Sequence, residues 1–210
     1  MSGTRTKLMD ATLRVLRDRG VAGASARTIA TEAGVNQALV FYHFGSVATL
    51  LADACRYGTE ARVSVYRKRF AAVASLPELL AVGRSLHEEE RRLGNVAVLA
   101  QVLAGAQSDP ALRPAVAAAL DLWVTELDAL LDRLLSGGPL AGVTDTRGLA
   151  RAVAAAFIGL ELYEGVDGSA AGDAFAALER IAVLAEVVED LGPVARRALR
   201  ARLRRAGRTA

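Results

Sequence analysis

Between Arg27 and His43 the chain gathers side chains suited to hydrogen-bonding a nucleic acid: Arg27, Thr28, Asn36, Gln37, Tyr42 and His43. Gln37 suits a bidentate pair with adenine, and Ala38 beside it suits contact with a thymine methyl. Tyr42 and His43, one turn later, suit phosphate oxygens, contacts that fix register rather than sequence. Arg27 and Thr28 open a helix whose free backbone N–H groups also favour phosphate. Such groups work only if a short helix presents them end-on, and the stretch Ser25 to Phe44 has the signals for one. Ser25 is an N-cap type, accepting an orphan N–H of the first turn. Ile29, Ala33 and Val40 recur at helical spacing as an inner face, and Phe41 and Phe44 are expected to join that core. Ala30 is small enough for two helices to cross closely. Gly34 stands where the first helix must stop. Asn36 suits the N-cap of a second helix starting at Gln37. Residues 25–44 therefore read as a helix-turn-helix, which lays its second helix in the major groove of DNA.

The chemistry of catalysis is missing from the sequence. It holds no Gly-x-Ser-x-Gly elbow, no phosphate-binding Gly loop, no Cys pair and only two His. The run His87-Glu88-Glu89-Glu90-Arg91-Arg92 has Arg91 where a zinc hydrolase needs its second His, so an exposed charged face is expected there. Glu161 and Glu164 share a helix with no His matched to them in the sequence. His43 has no second His nearby. No catalytic residue, metal site or cofactor is expected, and an all-α enzyme is the most distant reading.

Ala dominates the apolar content, Ala, Leu, Arg and Glu are strong helix formers, and there is little β-type alternation, so the chain reads as all-α. A hydrophobic share of 52% is ample for a core. Cys55 stands alone, which excludes an internal disulfide and fits a reducing compartment. No apolar stretch follows the N-terminal residues as a secretory signal requires. The longest apolar run, Ala152 to Leu160, falls well short of the roughly 18 residues that span a membrane. A cytoplasmic protein with no membrane partner is expected. Charge is uneven: residues 1–50 carry +3, 192–210 carry +7 from seven Arg, and the 51–191 body carries −7. Basic ends on an acidic body suit a protein that touches phosphate with one part only. The Arg-rich tail reads equally as a solvated helix.

With its flanks, the helix-turn-helix stretch resembles the TetR family of transcriptional regulators. The resemblance rests on Arg27-Thr28-Ile29-Ala30, on Ala33-Gly34-Val35, and above all on Phe41-Tyr42-His43-Phe44 leading to Ser46. It covers about the first quarter of the chain. It implies an N-terminal three-helix head (2–62) joined by a long fourth helix to a helical ligand-binding and dimerisation body (63–210), about nine to ten helices in all. It also implies that Asn36, Gln37 and Ala38 face the groove. Family members often carry a phosphate-contacting Lys where this chain has Val47, whose side chain cannot make that contact.

The remaining elements follow from periodicity. The first helix spans about Arg5 to Arg19, with Leu8, Ala11, Thr12, Val15 and Leu16 inward and Gly20 as its stop. Thr4, Arg5 and Lys7 form a short basic arm suited to phosphate. Ser46 caps the fourth helix, which runs to about Ala74 with Val47, Leu50, Leu51, Ala54, Ala61 and Val65 inward and Arg67-Lys68-Arg69 solvated. Pro77 suits the first turn of the fifth. Asn95 suits the cap of a sixth over Val96 to Gln107, and the next helical region extends from Asp109-Pro110 to about Leu135. Gly137-Gly138-Pro139 is a break. The eighth begins at Thr144 or Asp145, with Leu149, Val153, Ala156, Phe157 and Leu160 on one face. Gly165 to Ser169 leads to a ninth with Ala174, Ala177, Leu178, Ile181, Leu184, Ala185 and Val188 in register. Gly192-Pro193 ends it, and a last helix over Arg196 to Arg205 follows.

One short helix reads few base pairs, so a homodimer on a palindromic operator is expected. Helices eight and nine are the candidate interface, through Phe157, Leu160, Leu178, Ile181 and Ala185; filling the protomer's own core is the other use of the same faces. The family layout places an effector pocket in the body. Tyr66, Phe70, His87, Gln101, Trp123, Phe157 and Tyr163 are the side chains suited to line it, and they suggest a largely apolar or aromatic small molecule. The expected function is a repressor released from its operator by that ligand. A DNA-binding regulator without an effector, or an activator, is the alternative.

Overall fold

The computed structural model describes residues 3–136 and 145–189, with 192, 194, 195, 198 and 201. Among these the regular elements are nine α-helices and one 3-10 turn, with no strand, as the all-α reading expects. They divide into two compact units: residues up to Val65 with Glu89–Leu122, and Tyr66–Glu88 with Trp123 onward.

The first unit opens with α1 (Thr4–Arg19), which buries all five expected positions and Met9 as well. Thr12 is a buried polar residue there, and its hydroxyl donates to the Leu8 carbonyl at 2.7 Å, so no polar atom is stranded. Gly20 closes α1 at φ +66°. A 3-10 turn (Val21–Gly23) leads to α2 (Ala26–Ala33), α3 (Ala38–Phe44) and the start of α4 (Val47–Ala72). Their common core holds Leu8, Val15, Ile29, Val40, Phe44 and Leu50. Burying an aliphatic chain of this size stabilises by about 1.5–3 kcal/mol, enough that Ile29 and Val40 fix α2 on α3. Leu16 and Leu51 face a second cluster, with Val102 and Ala106 of α6 (Asn95–Ser108) and Val116 at the start of α7 (Arg113–Leu135). Ser46 caps α4 as expected, accepting the Thr49 N–H at 3.1 Å.

In the second unit the later part of α4 meets α5 (Leu76–Arg92), α7 and α8 (Thr146–Glu164) around Tyr66, Phe70, Leu130, Leu131 and Ala150, and α9 (Ala170–Glu189) packs against α8. The last carbonyls of a helix have no partner within it. Here Arg133 donates to Phe70 O at 2.7 Å and Val73 O at 3.1 Å, which ends α4 at Ala72 rather than Ala74. Asp145 caps α8, accepting the N–H groups of Arg147 and Gly148.

Four expectations change. Along α4, Ala61 and Val65 are exposed, and Val63, Tyr66 and Phe70 are buried instead. Extrapolating one stripe assumed one partner along the helix, whereas α4 serves two cores in succession. The His87 run is only in part a solvated face: Glu88, Arg91 and Arg92 are exposed, whereas His87 is buried and Glu89 and Glu90 are part-buried against Arg62. Asn95 does not cap α6. Gly94 takes that position at φ +72°, and the Asn95 amide donates to Glu90 at 2.6 Å. The expected inner stripe of α9 is largely its outer one: Ala177, Leu178 and Ile181 are exposed, while Ala171, Phe175 and Ala182 are buried. The expected Gly137-Gly138-Pro139 break, the helix over Arg196 to Arg205 and the side chains of Leu184, Ala185 and Val188 lie outside the described residues. Among the described residues no single helix is long and apolar enough to cross a membrane.

Candidate nucleic-acid interface

The turn between α2 and α3 is built by local chemistry. Ser25 Oγ accepts the Thr28 N–H at 3.1 Å and pairs with the Thr28 hydroxyl at 2.7 Å, which starts α2. Gly34 ends it at φ +65°, ψ +39°, with its own N–H on Thr31 O and the Val35 N–H on Ala30 O. That double bond pattern is a Schellman close, and the left-handed residue it requires is nearly free only for Gly. Asn36 then caps as the sequence suggests, but one residue off: its Oδ1 accepts the Ala38 N–H at 2.8 Å, and α3 starts at Ala38 rather than Gln37.

The result presents Asn36, Gln37 and Ala38 to solvent at the leading end of α3. Tyr42 is 81% exposed, an uncommon setting for an aromatic ring, and its edge meets His43 at 4.9 Å. His43 is half-buried. Phe44 is buried as expected, but Phe41 is 49% exposed. Val40 and Phe44, four apart, take the inner face, and Phe41 lies one 100° step around the helix. Phe41 is thus an apolar part of this surface that the sequence reading assigned to the core.

The cations differ in what they are committed to. Arg5 bonds Asp53 at 2.5 Å and lies over the Phe44 ring at 5.0 Å, so it braces α1 rather than forming a loose arm. Arg14 pairs with Glu32 at 2.7 Å and ties α1 to α2. Among the described residues Lys7 and Arg27 are exposed and form no ion pair. Thr28 is half-buried through its bond to Ser25. The negative charge of Asp10 pushes the Tyr57 phenol above its ordinary value, a second tie between α1 and α4. Val47 is half-buried against the core, which explains an aliphatic residue at the head of α4.

The candidate pocket residues separate. Tyr66, Phe70 and Trp123 pack against one another in tilted and edge-on contacts, with centroids 6.1–6.3 Å apart, inside the second unit's core. His87 packs against Phe157 at 6.4 Å and Phe175 at 5.8 Å. Gln101 belongs to the first unit and lies over Gly20. Tyr163 is exposed beside an open groove of about 510 Å³ between α8 and α9, lined also by Gly159, Leu160 and Ala170. Among the candidate interface residues Phe157 turns inward, Leu160 lines that groove, and Leu178 and Ile181 are exposed. Cys55 is half-buried, and desolvation pushes its thiol up to about 11, an unreactive setting. The carboxylates thought to lack a His have one: Glu161 and Glu164 both bond His87.

Residues 8–54 match the family described as bacterial regulatory proteins, tetR family. No curated protein matches the chain. The fold is that of a TetR-family transcriptional regulator from Rhodococcus sp., at 24% identity and a TM-score of 0.73 over 90% of this chain and 99% of that one. A TetR-family member from Streptomyces coelicolor A3 is 28% identical, with a TM-score of 0.64 over 86% and 99% of the two chains. The multidrug binding protein EbrR, solved with proflavin, is 27% identical, with a TM-score of 0.59 over 86% and 98%. Residues 8–54 thus carry the match to the tetR family, and the fold of the described residues is similar to that of solved TetR-family regulators.

Proposed function

We propose that this protein is a repressor that holds a palindromic operator as a homodimer and releases it when a small molecule binds. DNA contact is assigned to residues 2–62, and effector binding and dimerisation to 63–210. The observation that carries the reading is the solvent-facing set Asn36, Gln37, Ala38 and Tyr42 at the start of a helix fixed by the Gly34 turn. Gln37 and Ala38 read base edges, while Tyr42, His43, Arg27, Thr28 and Lys7 hold phosphate. Two heads related by a two-fold axis meet half-sites about 34–36 Å apart or a multiple of that. The pairing face is the outer side of α8 and α9, where Leu178 and Ile181 (61% exposed) stand in solvent in the single chain. The proflavin complex of the similar EbrR supports a small-molecule effector of aromatic character. Such a ligand acts by binding one spacing of the heads better than another. The protein works by binding rather than by catalysis, and in the cytoplasm.

The test is selection of bound sequences from random duplex DNA at two salt concentrations. A palindromic consensus that survives the higher salt supports the reading. Weak, salt-sensitive binding with no consensus refutes it. Screening compounds for release of the selected operator then separates a ligand-responsive repressor from a regulator without an effector.

A further inference from the structure

Two faces of α9 are apolar, and the chain uses one of them for itself, turning Ala171, Phe175 and Ala182 inward. On the other, Ala170, Asp173, Ala174, Ala177, Leu178 and Ile181 follow one another at the three- and four-residue spacing of a single helix face. The two ends of that stripe differ in shape. At its start the side chains are small, and Ala170 and Ala174 line, with Ala156 and Gly159 of α8, the open groove of about 510 Å³. At its end Leu178 and Ile181 stand out in solvent. A hollow and a ridge thus share one face, with Ala170 and Ile181 about 16 Å apart along the helix.

The flank of the stripe repeats this order in charge. Asp173 and Arg180 are seven positions apart, so they fall within about 20° of each other around the helix. Both are exposed, and among the described residues neither forms an ion pair. Charged side chains on one helix meet at a spacing of three or four, so these two, two turns apart, do not satisfy each other. Glu179, beside Arg180, is taken by Arg84 of α5 at 2.8 Å.

We propose that α9 pairs with α9 of a second copy of this chain in one antiparallel register, with Ala170 against the partner's Ile181, Ala174 against the partner's Ala177, and Asp173 beside the partner's Arg180. The proposal rests on the homodimer proposed above and adds its register and its means of choosing a partner. A two-fold contact makes every such pair twice. Running the second helix backwards is what brings each ridge over a hollow, while the small Ala174 and Ala177 at the centre let the backbones approach. The same reversal turns one flank of both helices toward each other, so acid meets base at both ends. Parallel pairing does neither: it sets Ile181 on the partner's Ile181 and each charge level with its own kind. Flanking charges of this sort set orientation and partner choice in paired helices. A helix that reads acid and then base two turns later is complementary to its own reversed copy, which favours this chain over a partner of the same fold with other charges there.

The test uses two full-length variants, Asp173→Arg and Arg180→Asp, in sedimentation at a series of concentrations without DNA. Each variant alone sets like charges together at both ends of the seam, and its dimer dissociation constant is expected to rise about 10-fold or more above that of the native protein. The deciding sample is their equimolar mixture. One variant then carries two cations on this flank and the other two anions, so the mixture is expected to dimerise within about threefold of native affinity. A local loss in the first turn of α9, where an acid suits the helix dipole, is not rescued by mixing. Single variants that dimerise as the native protein does, or a mixture no better than its components, overturn the register and leave the homodimer standing. A native protein that sediments as a monomer at every concentration overturns the homodimer and the register together.

Discussion

Tyr42 gives the sharpest test of the interface. At 81% exposure its ring contributes little to the folded monomer, and its contact with His43 is edge-on at the surface. Truncation to Ala should therefore move the stability by less than about 0.5 kcal/mol, a Tm change within roughly 2 °C. A hydroxyl donating to a charged phosphate contributes about 1.5 kcal/mol or more, and a dimer makes the contact twice. Operator affinity should fall about 100-fold, since each 1.4 kcal/mol is tenfold. Titration of labelled operator at several salt concentrations measures it. Tyr is neutral and displaces no counterion, so the slope of log K against log salt should stay unchanged. Lys7→Ala should instead flatten the slope by about 1.8, 0.9 for each of two charges. Phe at position 42 should lose nearly as much affinity as Ala if the hydroxyl is what matters. Unchanged affinity in Tyr42→Ala removes the residue from the interface. A loss at one operator base only makes it a reader of sequence.

The other expectations concern the scaffold. Ile181→Glu on the outer face of α9 should shift sedimentation from dimer to monomer while helix content stays native; a variant that remains dimeric moves the pairing face elsewhere. Gly34→Ala meets no atom within 4 Å, so only the backbone at φ +65° resists it. It should cost about 1–2 kcal/mol, roughly 2–8 °C in Tm, and an unchanged Tm would mean that the turn is not held as described. Cys55, pushed up to about 11, is thiolate in only about one molecule per thousand at pH 8, so alkylation of the native protein should be slow; rapid native labelling would contradict the raised thiol value.

What the sequence disclosed well was local. The Ser25 cap and the Gly34 stop are decided by a hydroxyl and a missing Cβ within three or four residues, and both stand in the structure. The stripe of α1 was legible because one core covers most of it. Longer range was harder. Phe41 and Phe44 look alike in a sequence, and only the packing of Val40 decides which ring turns inward. On α9 periodicity found an apolar face, but the helix has two, and Phe175 marks the buried one. His87 and Glu161 are 74 positions apart, and no spacing rule joins them. The available hint was two acids three apart directly after the apolar run Ala152 to Leu160 of α8, a pattern that asks for a buried partner from another helix.

The size of α3 bears on why the outer face of α9 is left apolar. Seven residues rise about 10 Å, which passes roughly three base steps, and α3 is fixed at that length by Gly45 at φ +73°. At about 1–3 kcal/mol for each well-read base, one head reaches only the lower part of the roughly 4–10 kcal/mol that separates specific from non-specific binding. The +3 charge of residues 1–50 cannot close that gap, because phosphate attraction is the same for every sequence. Discrimination has to come from a second head at a fixed distance, and that needs a surface whose pairing does not depend on DNA. Leu178 and Ile181 supply such a surface within residues 51–191, whose net charge of −7 disfavours the phosphates. On this account the apolar face and the short recognition helix are one requirement, so a variant that loses the dimer should also lose sequence preference while keeping the weak, salt-sensitive binding of a single head.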